Sequence, residues 1–194
     1  MTEDRPLRAD AARNRERLLA AAVRAFTAGG QDGALDDVSL DAVAREAGVG
    51  IGTLYRHFPT REALVEAAYR SELVRLTDAA PRLLEEMAPD AALRAWMDGF
   101  LDYTAAKRGM ADALRAVVAA GANPYATSRD QLVAAVSALL SAGAAAGLLR
   151  GDVDPLDLLI GLNGLAVVAA DPGRREQAGR VLDLLMDGLR ARRG

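Results

Sequence analysis

Alanine sets the first limit on what this chain can become: 42 of its 194 residues are Ala. Ala is the strongest helix former, and most of the charged residues here favour helix as well. Residues that strands prefer are scarce, with aromatic side chains at only 4%. The chain therefore reads as all-α, with helices that pack through Leu and small residues rather than through large rings. At 51% hydrophobic residues and a net charge of -3 it can bury a substantial core and does not fit a disordered chain.

The same inventory excludes several chemistries. With no Cys there is no disulfide framework, no thiolate nucleophile and no Cys-ligated metal centre. The single His, His57, has no partner for a zinc site or a catalytic network, so a structural or phosphate-contacting role is expected of it. Gly48-Val-Gly50-Ile-Gly52 resembles a nucleotide loop only briefly, because Thr53 occupies the place of the third Gly and no strand precedes it. There is no Gly-x-Ser-x-Gly. The expectation is a protein that is not an enzyme and uses neither metal nor cofactor.

Two uncharged stretches raise a membrane reading, 18 residues over Leu132–Leu149 and 13 over Leu158–Ala170, with Gly143-x-x-x-Gly147 as a packing motif. The first is mostly Ala, Gly and Ser, the second is too short to span, and the mean hydropathy is only +0.04. Buried helices are the better reading. The N-terminus mixes Arg with acids and has no apolar signal region, so a cytoplasmic protein is expected.

Gly and Pro divide the chain into helical pieces. A first helix from about Asp10 to Ala28 carries Leu18, Leu19, Ala22, Val23 and Phe26 on one stripe, and an acidic turn, Gln31 to Asp37, follows. Ser39 is a suitable cap for a short helix to about Ala47, and Gly48 stands where a helix ends with positive φ. A second short helix runs from near Gly50 to Phe58. Two short helices joined by a tight Gly-containing turn form a helix-turn-helix. Leu54 and Phe58 would pack inward, leaving Thr53, Tyr55, Arg56 and His57 outward, a set able to bond phosphates and base edges. Thr60 caps a long helix to about Ala80, where Pro81 predicts a break or kink. Further helices are expected over Ala91–Ala106, Met110–Ala120, Ser128–Leu149, Leu156–Ala170 and Arg174–Arg192.

The string VSLDAVAREAGVGIGTLYRHFPTREAL, residues 38 to 64, resembles the DNA-binding segment of TetR-type (TetR/AcrR) transcriptional regulators, with Gly52-Thr53-Leu54-Tyr55-x-His57-Phe58-Pro59 at its core. RERLLAAAVRAFTAGG, residues 15 to 30, fits that family's preceding helix, and the Gly147–Pro155 turn with its two following apolar helices looks like the family's C-terminal region. The resemblance implies a three-helix DNA-binding domain over 1–58, joined by a long helix to a helical ligand-binding and dimerisation domain over 59–194. By position, Thr53 and Tyr55 match contacts to DNA backbone and bases, His57 and Arg61 match phosphate contacts, and Ser39 matches a backbone contact. Ile51, Gly52 and Arg56 sit at specificity positions. Arg61 stands where Lys is usual, and Gly50 where a Ser or Thr cap is common.

Charge agrees locally rather than on average. Residues 1–24 hold six Arg against four acids and residues 45–61 three Arg against one, whereas residues 25–44 hold four Asp and no base. A positive stripe on an acidic molecule is expected. Arg5, Arg8, Arg13, Arg15 and Arg17 read equally as a DNA-contacting arm or a solvated face diluted by neighbouring acids.

Trp96, Phe100 and Tyr103 form an aromatic stripe that reads as core or as a pocket wall. The resemblance favours the pocket, with Met110, Leu114 and Val118 on the next helix, and Asn163 and Asn123 as orienting polar groups. The function implied is a ligand-responsive repressor that binds a near-palindromic DNA operator as a homodimer through its last two helices and is released by a small apolar effector. The rival readings are an all-α small-molecule-binding protein or enzyme without a DNA role, and a membrane hairpin.

Overall fold

The structure, a computed structural model, describes residues 4–31 and 38–191. Packing groups it into two compact units, residues 1–71 with 106–124 and residues 72–105 with 125–194. Among the described residues it is helical throughout, with one isolated antiparallel bridge, Leu149 to Arg190. The acidic turn over 32–37 and the side chains of Arg5 and Arg8 lie outside the described residues. No helix among the described residues is long and apolar enough to cross a membrane.

The first unit begins with α1, Asp4–Gln31, longer at both ends than the sequence predicts. Pro6 does not delay it, because it falls in the first turn, where its missing N–H is not needed. Next come α2, Leu40–Glu46, and α3, Ile51–His57. Ser39 caps α2, its Oγ accepting from the Ala42 N–H at 3.4 Å. Gly48 ends α2 with φ 67°, while its own N–H bonds the Arg45 carbonyl and the Val49 N–H bonds that of Ala44. This pair of bonds satisfies carbonyls at the helix end and requires the left-handed residue that Gly supplies. Thr60 then caps α4, Arg61–Glu86, by accepting from the Ala63 N–H at 3.1 Å. Leu18, Ala22, Phe26, Val43, Ala44, Leu54, Phe58, Leu64 and Tyr69 are all buried in this unit. The end of α5 (Pro89–Gly109) and all of α6 (Ala111–Ala119) belong here too, with Gly109 so close to Thr27 of α1 that a Cβ would lie 2.7 Å from its Cα. The unit therefore extends past residue 58, where the DNA-binding motif ends.

In the second unit, α4 continues to Glu86 with Pro81 inside it, where the sequence predicts a break. Pro81 is exposed, so water can satisfy the carbonyl that loses its partner. The indole N–H of Trp96 on α5 donates to the Leu76 carbonyl at 2.9 Å and ties α5 to α4.

Helix α7 spans Ser128–Ala145 and stops short of the expected Leu149. Gly147 takes φ 67° there, with the Leu148 N–H bonded to the Gly143 carbonyl. Gly143-x-x-x-Gly147 is thus a helix stop rather than a helix-packing face. Gly143 serves a local purpose, because the side chain of Leu149 folds back onto it and leaves no room for a methyl group. The turn then holds the chain's last helix: the Arg150 N–H donates to the Leu189 carbonyl at 2.9 Å and the Ala191 N–H to that of Leu148 at 3.0 Å.

Asp154 caps α8, Pro155–Val168, through the Leu156 N–H at 2.7 Å. After a short 3-10 turn, Pro172–Arg174, α9 runs Arg175–Leu189. Arg94 of α5 reaches α9, donating to the Asp183 carboxylate at 2.7 Å and the Gly179 carbonyl at 3.2 Å, and it also pairs with Asp98. Partial burial lowers its pKa, but bonds to Asp183 and Asp98 outweigh that and hold it above the ordinary value. Arg175 of α9 returns the link, bonding Asp98 at 3.2 Å and Asp102 at 3.1 Å.

Candidate nucleic-acid interface

The short helix α3 is fixed by one side and offers the other. Leu54 is fully buried and Phe58, just past its end, is nearly so, which anchors the helix against α1 and α2. Tyr55 is 49% exposed, a high value for an aromatic ring in a chain with few of them. Gly52 and Arg56 are exposed, and Ile51, Thr53 and His57 are half-buried.

Arg56 folds along its own helix. Its Nε donates to the Gly52 carbonyl at 3.2 Å and its Nη2 to the Thr53 hydroxyl oxygen at 3.4 Å. Both bonds are long, so the guanidinium can exchange them for a base edge or a phosphate at small cost. Ser39, exposed at the start of α2, uses its oxygen as an acceptor for the cap and keeps its O–H as a donor. Gly50 is the N-cap of α3 and gives it no side-chain bond, and a Cβ there would meet nothing within 4 Å.

Arg61 lies differently from the other residues singled out by sequence. It is half-buried, its Nη1 donates to the Val38 carbonyl at 2.6 Å, and its guanidinium stands 5.0 Å from the centre of the Phe26 ring. It joins α4 to the strand of chain that enters α2. Sequence reasoning had no signal for this, because the contact spans 23 positions and ends on a backbone atom. No group of His, Asp and Glu among the described residues is placed to hold a metal ion.

The residues expected around an effector fall in both units. Trp96, Phe100 and Tyr103 pack together in the second as tilted rings, with centres 5.8 and 6.1 Å apart, all buried. Met110 and Leu114 are buried in the first unit, and Val118 is 48% exposed there. Asn163 is exposed on α8, its amide donating to the Leu159 carbonyl one turn back at 2.8 Å, and Asn123 is exposed in the loop after α6.

Comparison with known proteins decides what these helices are. Residues 18–68 match the bacterial regulatory proteins of the tetR family, and residues 88–191 match the SbtR-like transcriptional regulator C-terminal domain. The chain belongs to the TetR family of transcriptional regulators. A solved TetR transcriptional regulator from Streptomyces coelicolor is 54% identical, covers 92% of this chain and 99% of its own, and superposes with a TM-score of 0.86. A TetR transcription regulatory protein from Mycobacterium vanbaalenii is 38% identical over 96% of this chain and 100% of its own, with a TM-score of 0.76. A transcriptional regulator from Rhodococcus sp. RHA1, 24% identical over 90% of this chain and 95% of its own, shares the fold at a TM-score of 0.64. Among curated proteins, none matches. The tetR match takes in α2 and α3, and the C-terminal domain match takes in α5 to α9.

Proposed function

We propose that this TetR-family regulator is a ligand-responsive repressor that binds a near-palindromic operator as a homodimer. The observation that carries the reading is α3 itself: a short helix anchored by buried Leu54 and Phe58, with Tyr55, Arg56 and Gly52 exposed on its other side. In this reading α3 enters the major groove. Arg56 takes a guanine edge in two bonds, Thr53 and Tyr55 contact backbone and bases, and Ile51 and Gly52 allow close approach without polar readout. Ser39 and His57 donate to phosphates, and Arg61, bonded to the Val38 carbonyl, steadies the motif.

Dimerisation is supported by α8 and α9, where Ile160, Val167 and Leu184 are 62%, 71% and 70% exposed. Large apolar residues this exposed on adjacent helices suit a self-complementary two-fold interface, which would set the two α3 helices about 34–36 Å apart, one DNA turn. For the effector we retain the aromatic trio of the second unit, Trp96, Phe100 and Tyr103. Because the aromatic trio is buried, an apolar molecule would enter by parting helices, selecting a conformation that misfits the operator.

Selection of bound fragments from genomic DNA by the purified protein tests the reading. Enrichment of one near-palindromic sequence, bound by the wild type and lost in Arg56→Ala and Tyr55→Ala, is the expected result. Equal recovery of all fragments at low salt would sink it.

A further inference from the structure

We propose that Arg15 and Arg17 of α1 grip the DNA backbone on either side of α3, so that α1 follows the phosphates while α3 occupies the groove. This rests on the DNA-binding reading above and extends it to residues outside the helix-turn-helix.

The arginines of α1 whose side chains are described divide by their partners. Arg13 is paired with Asp10, and Arg24 with Glu46 at 2.6 Å, so their charges are already neutralised. Arg15 and Arg17 have no carboxylate partner among the described residues. Arg17 bonds only the neutral amide oxygen of Asn14, and Glu16, exposed between them, pairs with neither. Over residues 9–58 the other cations in this condition are Arg45, at the end of α2, and Arg56 on α3 itself. The unneutralised charge of this region therefore collects around α3.

Position gives the second argument. Arg15 lies on the stripe of α1 that continues through Leu18, Leu19, Ala22 and Phe26, the side that faces the core, yet it is exposed. Its guanidinium passes over the Phe58 ring, 5.4 Å from the centre, and emerges where α3 ends. The ring supports the stem and the cation while the head stays in water. Arg17 reaches the other end of α3. Its Nη1 is 3.4 Å from where a Cβ on Gly48 would stand, so the bare turn before α3 leaves it room. One exposed guanidinium thus borders each end of a helix of seven residues. A helix set into a major groove about 12 Å wide is flanked by phosphates, and cations at its ends meet them.

The test is salt titration of binding to a random-sequence 30-bp duplex, read by fluorescence anisotropy, with wild type, Arg15→Gln, Arg17→Gln and Arg13→Gln. Each lost phosphate contact should lower the slope of log affinity against log salt by about 0.9 per bound subunit and weaken binding roughly five- to tenfold at 0.1 M salt. Arg15→Gln and Arg17→Gln should do this and Arg13→Gln should not. Arg15→Lys, which keeps the charge, should restore the wild-type slope and so separates phosphate contact from loss of packing on Phe58. Unchanged slopes in both Gln variants, with wild type binding the duplex, would overturn this proposal alone. A wild type that binds no duplex at low salt would overturn the DNA-binding reading and this proposal with it.

Discussion

Arg61, the first residue of α4, donates to the carbonyl of Val38 at 2.6 Å and covers the ring of Phe26, so one side chain fastens α4 to both α1 and the entry of α2. A guanidinium bonded in this way is a fixture of the motif before any DNA arrives. Arg61→Ala removes a charged hydrogen bond and a cation–π contact from a half-buried site. It should lower unfolding stability by about 1–3 kcal/mol, measured by urea titration. Arg61→Lys should recover only part of this, because an ammonium cannot lie flat on Phe26 while reaching the carbonyl. Equal stability of wild type and Arg61→Ala would show that the contact contributes nothing.

Gly50 supplies the opposite case, a position where the helix lacks something. Its φ of -74° and ψ of 149° suit any residue, its Cβ space is open, and α3 has no side-chain cap. Gly50→Ser should therefore stabilise the fold by a few tenths of a kcal/mol and add a hydroxyl at the helix N-terminus. Thermal melts should show a small rise in Tm. If α3 enters DNA as proposed, duplex affinity should rise with it, because the added hydroxyl is a further donor at the helix N-terminus. A drop in Tm would mean that the turn cannot accept a side chain.

The parts of the fold legible in sequence are those written in short-range chemistry. Ser39, Gly48 and Thr60 mark helix ends through bonds to residues three positions away, and the structure places all three as expected. The stripe of α1 and the inward Leu54 and Phe58 follow from helical periodicity alone. What escaped depended on partners distant in sequence or on solvent. Pro81 stays helical because its side of α4 is open to water, and Arg61 acts on a carbonyl 23 positions away. The end of α7 was hidden by composition, since Ala and Gly continue through Gly147 without a polar boundary. The aromatic stripe illustrates the ambiguity of core and pocket: Trp96 has spent its only N–H on Leu76.

Gly143 and Leu149 form a matched pair, and their coupling can be measured. A methyl on Gly143 would overlap the side chain of Leu149, which is itself buried under the turn that holds α9. Gly143→Ala should destabilise the protein by about 1–3 kcal/mol through overpacking. Leu149→Ala alone should also destabilise, by leaving a cavity. The double substitution removes the overlap, so its loss should be clearly smaller than the sum of the two singles. Additive losses in urea titration would show that the clash is relieved elsewhere.

Ile160 and Leu184 carry the test of assembly. Both are on α8 and α9 and both are mostly exposed, at 62% and 70%, so a charge at either should leave the isolated subunit's fold nearly unchanged. In a two-fold dimer every substitution is present twice and each copy would be buried. Full burial of such a side chain contributes about 1.5–3 kcal/mol, so losing two and desolvating two carboxylates should abolish association at micromolar concentration. Ile160→Asp and Leu184→Asp should elute as monomers with light-scattering masses near 20.4 kDa, against twice that for wild type, while circular dichroism stays helical. Their affinity for a two-half-site operator should fall steeply, because a single α3 loses the second set of contacts. A wild-type monomer, or dimers that survive both substitutions, would move the interface away from these helices.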